Sequence, residues 1–359
     1  MPYIVYRYCR GWWRTRMVAD LERIAKIIKS KERFVVSAHL NADGDAVASQ
    51  LGIARLLTLA GKRAIVVNDE DVPLQFRFLP EADAVAKSVP KDFEPDAVIV
   101  IDTPVRDKIN AGAVRERFAE PMKPAEEAGE IGGAPWTDVT TIFLDHHQRS
   151  DTIGDFVYVD ASASAASTIV GRLMDRVGVS PEPVIGTQLI CGIMSDTGRF
   201  SFANTTSESL NIVAKMIDGG ARINDVATEL FYKNSFEAMK VTGSALSTLE
   251  ISKSGRVSTM VLHEEAVDEN GQTVEVEDLK NYPVSIRGVE IGMFLRPAGN
   301  TGVRVSVRSA GDADVNKFAD IFGGGGHKKA AGCKVDGTID EARKKLVDAA
   351  EKYLDETMS

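Results

Sequence analysis

The chain has 359 residues, a formal net charge of −9 and five histidines. That length exceeds one typical core and points to two domains, and 44% hydrophobic with 26% charged residues is an ordinary globular balance. An acidic chain of this kind is excluded from wrapping long nucleic acid through non-specific charge, although a local basic pocket for a small anion is compatible with it.

In chain order, "MPYIVYRYCRGWWRTRM" (1–17) is aromatic and basic, without the continuous apolar stretch of a signal peptide, and reads as an N-terminal extension. From Val18 the spacing of Leu21, Ile24, Ala25 and Ile28 predicts a helix. "RFVVSA" (33–38) predicts a buried strand, "DAVASQLGIARLLTLAG" (45–61) a helix closed by Gly61, and "RAIVVND" (63–69) the next strand. "PDAVIVIDTP" (95–104) and "VTTIFLDHH" (139–147) are continuous apolar runs, which indicates strands covered on both faces, as in a parallel sheet. Between them, residues 118–137 are rich in Pro, Gly and Glu and read as a surface insertion. Helical patterns follow at 166–178, 182–196 and 207–221. The pattern changes near 235–250, after which 255–264, 289–299 and 301–311 read as strands of a second sheet, 312–327 as a helix stopped by four glycines, and 339–356 as a last helix. The expected fold is α/β throughout: an N-terminal domain at 18–235 with a mainly parallel sheet flanked by helices, a linker at 236–250, and a smaller C-terminal α/β domain at 251–359.

No apolar run approaches the length of a membrane span. Cys9, Cys191 and Cys333 match no zinc or redox spacing. Reduced thiols in a cytoplasmic protein are expected.

The chemistry gathers at strand ends. "RFVVSA" runs into His39, with Asp43 and Asp45 following in "HLNADGD"; a second apolar strand ends at Asp102, and a third at Asp145, His146 and His147. In open parallel sheets ligands bind beyond the carboxyl ends of the strands, so three strands deliver His and Asp to one rim. Clustered carboxylates resist joint ionisation, and a divalent cation removes that cost. Imidazole mixed with carboxylate suits Mn²⁺ or a similar borderline metal. Each piece has a bland alternative: Asp43 before Gly44 also fits an ordinary turn.

These motifs resemble the DHH phosphoesterase superfamily, in "HLNADGD", the aspartate of "VIVIDTP", "LDHH" and the aspartate of "GIMSDTGRFSF". "GGGGHKKAAG" (323–332) is similar to the glycine-rich hallmark of the associated DHHA1 domain. The resemblance implies two divalent metals, Mn²⁺ foremost with Mg²⁺ or Co²⁺ admitted. It implies His39 and Asp43 on the first, Asp45, His146 and Asp196 on the second, and Asp102 bridging both. His147 is implied to meet the substrate phosphate, with Asp145 orienting a histidine from behind. The attacking group is then a metal-bridging hydroxide. Arg308, Ser309, Gly324, Gly325, Gly326 and His327 are implied substrate contacts, and glycine amides in such a loop can nest a phosphate. Residues 296–334 support a local anion site, with seven Lys or Arg against three Asp or Glu.

The resemblance favours a hydrolase of short oligoribonucleotides, linear or cyclic dinucleotides such as pApA and cyclic-di-AMP, or 3′-phosphoadenosine 5′-phosphate, gripped between two domains. Long nucleic acid and membranes are not expected as partners, and a homodimer is admitted. The competing readings are a pyrophosphatase or polyphosphatase, a RecJ-like single-strand exonuclease, and a non-catalytic nucleotide sensor.

Overall fold

The computed structural model describes residues 17–103, 105–117, 139–147, 154–263, 277–298 and 302–357. The insertion read at 118–137 and residues 1–16 of the N-terminal extension lie outside them. Two compact units meet between Lys233 and Asn234.

The first unit runs β1 (Met17–Val18), α1 (Leu21–Ser30), β2 (Arg33–Ser37), α2 (Gly44–Leu59), β3 (Arg63–Val66), β4 (Ala97–Ile101), α3 (Gly112–Arg117), β5 (Thr140–Asp145), β6 (Phe156–Val159), α4 (Ala166–Val177), α5 (Pro183–Asp196), α6 (Ser207–Asp218) and α7 (Ile223–Phe231). The sheet is parallel throughout, in the order β1-β6-β5-β4-β2-β3. Its central strands are apolar on both faces because both faces are covered. Ala97, Ile99 and Ile101 of β4 enter one core, with α1, α2, α4 and α5. Val98 and Val100 enter another, with Ile109, Ala111 and Val114. Full burial of each such Val or Ile stabilises by ~1.5–3 kcal/mol. Helix α2 is buried on nearly every side, which is why its apolar pattern has no polar stripe.

The chain leaves β2 for β3 on one side, then crosses to β4 on the other. The carboxyl ends of β2 and β4 therefore flank a topological switch point, where such sheets open a crevice.

The second unit runs α8 (Phe236–Leu246), β7 (Glu250–Ile251), β8 (Val257–Val261), β9 (Ile291–Pro297), β10 (Gly302–Ser309), α9 (Val315–Asp320), β11 (Gly325–Gly326), β12 (Ala330–Asp336) and α10 (Ile339–Thr357). Its sheet, ordered β11-β12-β10-β9-β8-β7, is antiparallel except for the β8–β9 pair. One face packs on α9 and α10. The segment expected as a linker at 236–250 is instead largely helix. Ala245, Val241, Leu246 and Leu249 pack on Met260, Leu262, Leu279 and Phe294, so it is part of this unit's core.

The part of "GGGGHKKAAG" read as a loop also differs. Gly325 and Gly326 pair with Gly332 and Ala331, which makes a tight hairpin ending in β12. The 312–327 helix is short for the same reason, since the hairpin begins soon after Asp320.

Candidate metal centre

Three strand ends and two helix ends bring the acidic and histidine side chains together at the switch point. His39 follows β2; its Nδ1 lies 2.8 Å from the Leu40 carbonyl, which directs Nε2 inward, to 3.8 Å from Asp43 Oδ1 and 3.8 Å from Asp102 Oδ2. That arrangement, one ring nitrogen on a carbonyl and the other aimed at carboxylates, is how metal-binding imidazoles are usually oriented. Asp43 is the N-cap of α2, and its Oδ1 accepts from Asp45 N at 3.1 Å and Ala46 N at 3.0 Å. Capping and a place in the acidic cluster thus coexist in one carboxylate.

Asp45 is completely buried. Helix α4 has no side-chain cap of its own at Ala165; instead Asp45, far away in sequence, accepts from Ala166 N and, at 3.0 Å, from Ser167 N. The helix dipole favours negative charge there. Burial, followed by the nearby Asp102 carboxylate, still pushes its pKa up to about 7.

Asp102 stands just beyond β4 with φ +53, a strained conformation for a non-glycine residue, and is 2% exposed. Burial works to raise its pKa, but His146, His39 and His147 together outweigh that and lower it. His146 Nε2 lies 3.2 Å from Asp102 Oδ1, 3.3 Å from Asp196 Oδ2 and 3.9 Å from Asp45 Oδ2. Burial opposes its charge, yet the three carboxylates raise the imidazole to about 11. Asp196, the last residue of α5, is pushed well above the usual carboxylate range by burial and by Asp45 and Asp43.

His147 stands apart in role from its neighbour. Its Nδ1 meets Asp145 Oδ1 at 2.7 Å, and the same oxygen accepts from His146 N at 2.9 Å. Asp145 is fully buried and so fastens both histidines from behind. Burial opposes the charge on His147, but Asp145 outweighs it and raises the pKa.

The donor set fits divalent cations. Two triads bring one ligand atom from each member within 4.8 Å of the others: His39, Asp43 and Asp102, and Asp45, His146 and Asp196. These are the two groups expected from the sequence, and Asp102 Oδ1, 3.2 Å from His146, joins them. Asp102 Oδ1 is also buried and faces His146 Nε2 at 3.2 Å, so a cation bound there would balance a buried carboxylate charge that the imidazole otherwise meets. His147 forms a further group with Asp102 and His146. Because its Nδ1 is engaged by Asp145, that nitrogen is already committed.

Several supporting residues escaped the sequence reading. A Cβ on Gly192 of α5 would stand 2.0 Å from Ser167 Oγ and 2.5 Å from Asp45 Oδ1, so only glycine lets α5 lie against the Asp45 carboxylate. The only signal was an isolated glycine inside "LICGIMSD". Asn204 Nδ2 donates to Ser164 O and to Asp196 O, both at 3.0 Å, tying the loop before α4 to the end of α5. Nothing local in the sequence marks that bond.

The second unit sets the expected substrate residues around its hairpin. Ser309 Oγ donates to Ala313 O at 2.8 Å, a bond internal to the fold. The amides of Gly323, Gly324 and His327 donate to backbone carbonyls, and Gly326 N donates to Asn316 Oδ1 at 2.8 Å. A Cβ on Gly324 would stand 2.2 Å from Gly332 O. Those glycines therefore serve close backbone approach, and the Gly324 and Gly326 amides expected to nest a phosphate are engaged by α9, through Ala319 O and Asn316 Oδ1. In the same region His327 is exposed and Arg308 half-buried.

Residues 33–193 match the DHH family N-terminal domain and residues 257–356 the DHHA1 domain. A bifunctional oligoribonuclease and PAP phosphatase, NrnA, of Thermus thermophilus is 30% identical over 348 residues, 96% of either chain. The chain belongs to the DHH family. The Bacillus subtilis NrnA is 26% identical, spanning 90% of this chain and 96% of that one. A cyclic-di-AMP phosphodiesterase, PdeA, of Listeria monocytogenes is 23% identical over 95% of this chain but 51% of its own length. Among solved structures, an exopolyphosphatase-related protein from Bacteroides fragilis shares the fold with a TM-score of 0.77, at 23% identity over 93% of this chain and 96% of that one. Asp196 lies just past the matched DHH segment, yet it belongs to the same cluster. Among the described residues, no helix is long and apolar enough to cross a membrane.

Proposed function

We propose that this chain is a two-metal phosphoesterase hydrolysing short oligoribonucleotides and small nucleotides such as pApA, cyclic-di-AMP and 3′-phosphoadenosine 5′-phosphate. The observation that carries the reading is Asp102: a buried carboxylate that reaches both His39 and His146, the centres of two separate ligand triads. His39, Asp43 and Asp102 would hold one cation, and Asp45, His146 and Asp196 the other, with Asp102 shared. Mixed imidazole and carboxylate donors favour Mn²⁺. When bound, such a pair lowers the pKa of a water and neutralises charge on the phosphoryl oxygens.

The chain's own residues supply the rest. Asp145 holds His147 by Nδ1, so Nε2 is the atom offered to the phosphate. Asp145 raises the pKa of that imidazole and so favours its charged form, which, aimed at a phosphoryl oxygen, would stabilise negative charge growing there. Asp45 and Asp43 are each pinned by helix N-terminal amides, so little reorganisation accompanies catalysis. Arg308 and His327 of the second unit would recognise the substrate's nucleotide end. The relatives' names favour nucleotide substrates over inorganic ones.

The test is product analysis with Mn²⁺ on a panel of pApA, cyclic-di-AMP, 3′-phosphoadenosine 5′-phosphate, short RNA, pyrophosphate and polyphosphate. Release of mononucleotides or phosphate from the nucleotide members is expected. Hydrolysis confined to pyrophosphate or polyphosphate would overturn the assignment.

A further inference from the structure

The open face of the second sheet carries a row of cations with no assigned role. In the strand register Arg304 of β10 lies directly opposite Arg296 of β9 on one side and Lys334 of β12 on the other. Alternation puts all three on the face away from the core, where Val303, Val305, Cys333, Val335 and Leu295 point. Directly opposed side chains in a sheet stand ~5 Å apart, and like charges in such pairs are destabilising. Yet none of the three forms an ion pair or side-chain hydrogen bond among the described residues. Lys334 leans across β10, its Cε passing where a Cβ on Gly302 would be. Asp336, two residues on, is the single carboxylate on this face of β9, β10 and β12.

Three opposed cations in a chain of net charge −9 are a local inversion of sign. Between them and Arg308 on the same face are Ser306 and Gly332, both small, with Phe294 opposite Ser306 on β9. The other half of this face, on β8 and β9, is covered by Leu279 and Ala245, and the 3₁₀ turn Glu277–Asn281 that carries Leu279 also reaches β10; Arg304 and Lys334 are nevertheless exposed.

The geometry points to Arg296, Arg304 and Lys334 as a second anion subsite, which takes the phosphodiester backbone of an oligonucleotide beyond the nucleotide held at Arg308. Arg304 and Arg308 are four residues apart on one strand, ~13 Å at ~3.3 Å per residue. At ~3.4 Å per stacked nucleotide that length spans about four nucleotides. The row therefore extends recognition from dinucleotides to short single strands and ends there, because this face of β9, β10 and β12 carries one such row among the described residues. This inference rests on the phosphoesterase reading for its substrate class.

The experiment compares wild-type full-length protein with Arg296→Gln/Arg304→Gln/Lys334→Gln, and with Arg304→Gln alone should the triple variant melt early. Steady-state kinetics with Mn²⁺ use pApA and a five-residue oligoadenylate; anisotropy in EDTA reads pentamer binding without turnover. Loss of the row should raise KM for the pentamer about tenfold, leave pApA within about twofold, and flatten the salt dependence of pentamer binding by a slope of about two. Equal effects on pApA and the pentamer, or none on either, would overturn the subsite. A wild type that binds the pentamer in a row-dependent way but hydrolyses nothing would sink the enzymatic reading alone.

Discussion

Gly192→Ala tests how α5 is seated against the metal ligands. The new Cβ would fall 2.0 Å from Ser167 Oγ and 2.5 Å from Asp45 Oδ1. On an exposed helix the change would stabilise by ~1 kcal/mol through helix propensity. Here overpacking costs about 1–3 kcal/mol, and driving the Asp45 carboxylate off one helix amide costs about 1.5–3 kcal/mol more. The clash wins, with a net loss of about 1.5–5 kcal/mol, or ~10 °C of melting temperature near the middle of that range for a unit of this size. Gly52→Ala on α2 is the control. Its Cβ would meet Leu189 Cδ2 at 2.8 Å, the far end of a side chain able to rotate away. Scanning calorimetry in EDTA reads the stability, and Mn²⁺ titration reads the site. Gly192→Ala should also weaken one of the two Mn²⁺ sites by about 10–100-fold, while Gly52→Ala leaves both intact. A Gly192→Ala protein melting within ~2 °C of wild type, with unchanged Mn²⁺ binding, would refute the close approach of α5 to Asp45.

His147→Gln should keep two Mn²⁺ per chain and lower kcat by about 10²–10³-fold with little change in KM, since the imidazole acts on charge developing in the transition state; loss of a metal equivalent by titration would make it a ligand instead. Mn²⁺ affinity should rise with pH. In the metal-free protein His146 holds its proton up to about 11 and Asp45 up to about 7. A cation must displace each proton, so the apparent affinity gains at least about tenfold per pH unit above 7 and climbs more steeply below it. Calorimetric titration in buffers of different ionisation enthalpy counts the protons released, and a pH-independent affinity between 6 and 8 would contradict the raised pKa values.

The strand ends were legible because chemistry interrupts apolar runs there. His39, Asp102 and Asp145-His146-His147 each follow a segment buried on both faces, and a polar residue at that point has to face the crevice. Asp43 before Gly44 fitted an ordinary turn, and the structure makes it the N-cap of α2. Helix α8 was not, since its apolar spacing is short and its partners Met260, Leu279 and Phe294 come later in the chain.

What the sequence by itself determined is the layout: two α/β units, a parallel sheet and the residues that could ligate, because local periodicity and strand termination are short-range properties. What only the tertiary structure decided is which of those residues work together and which glycines are structural. Asp45 caps a helix that begins at Ala166, and Asn204 joins Ser164 to Asp196. Helix α9 takes the amides of Gly324 and Gly326, while Arg296, Arg304 and Lys334 fall into one row. Each of these depends on sheet order and strand register, which bring distant segments to within hydrogen-bonding distance and leave no trace in local composition.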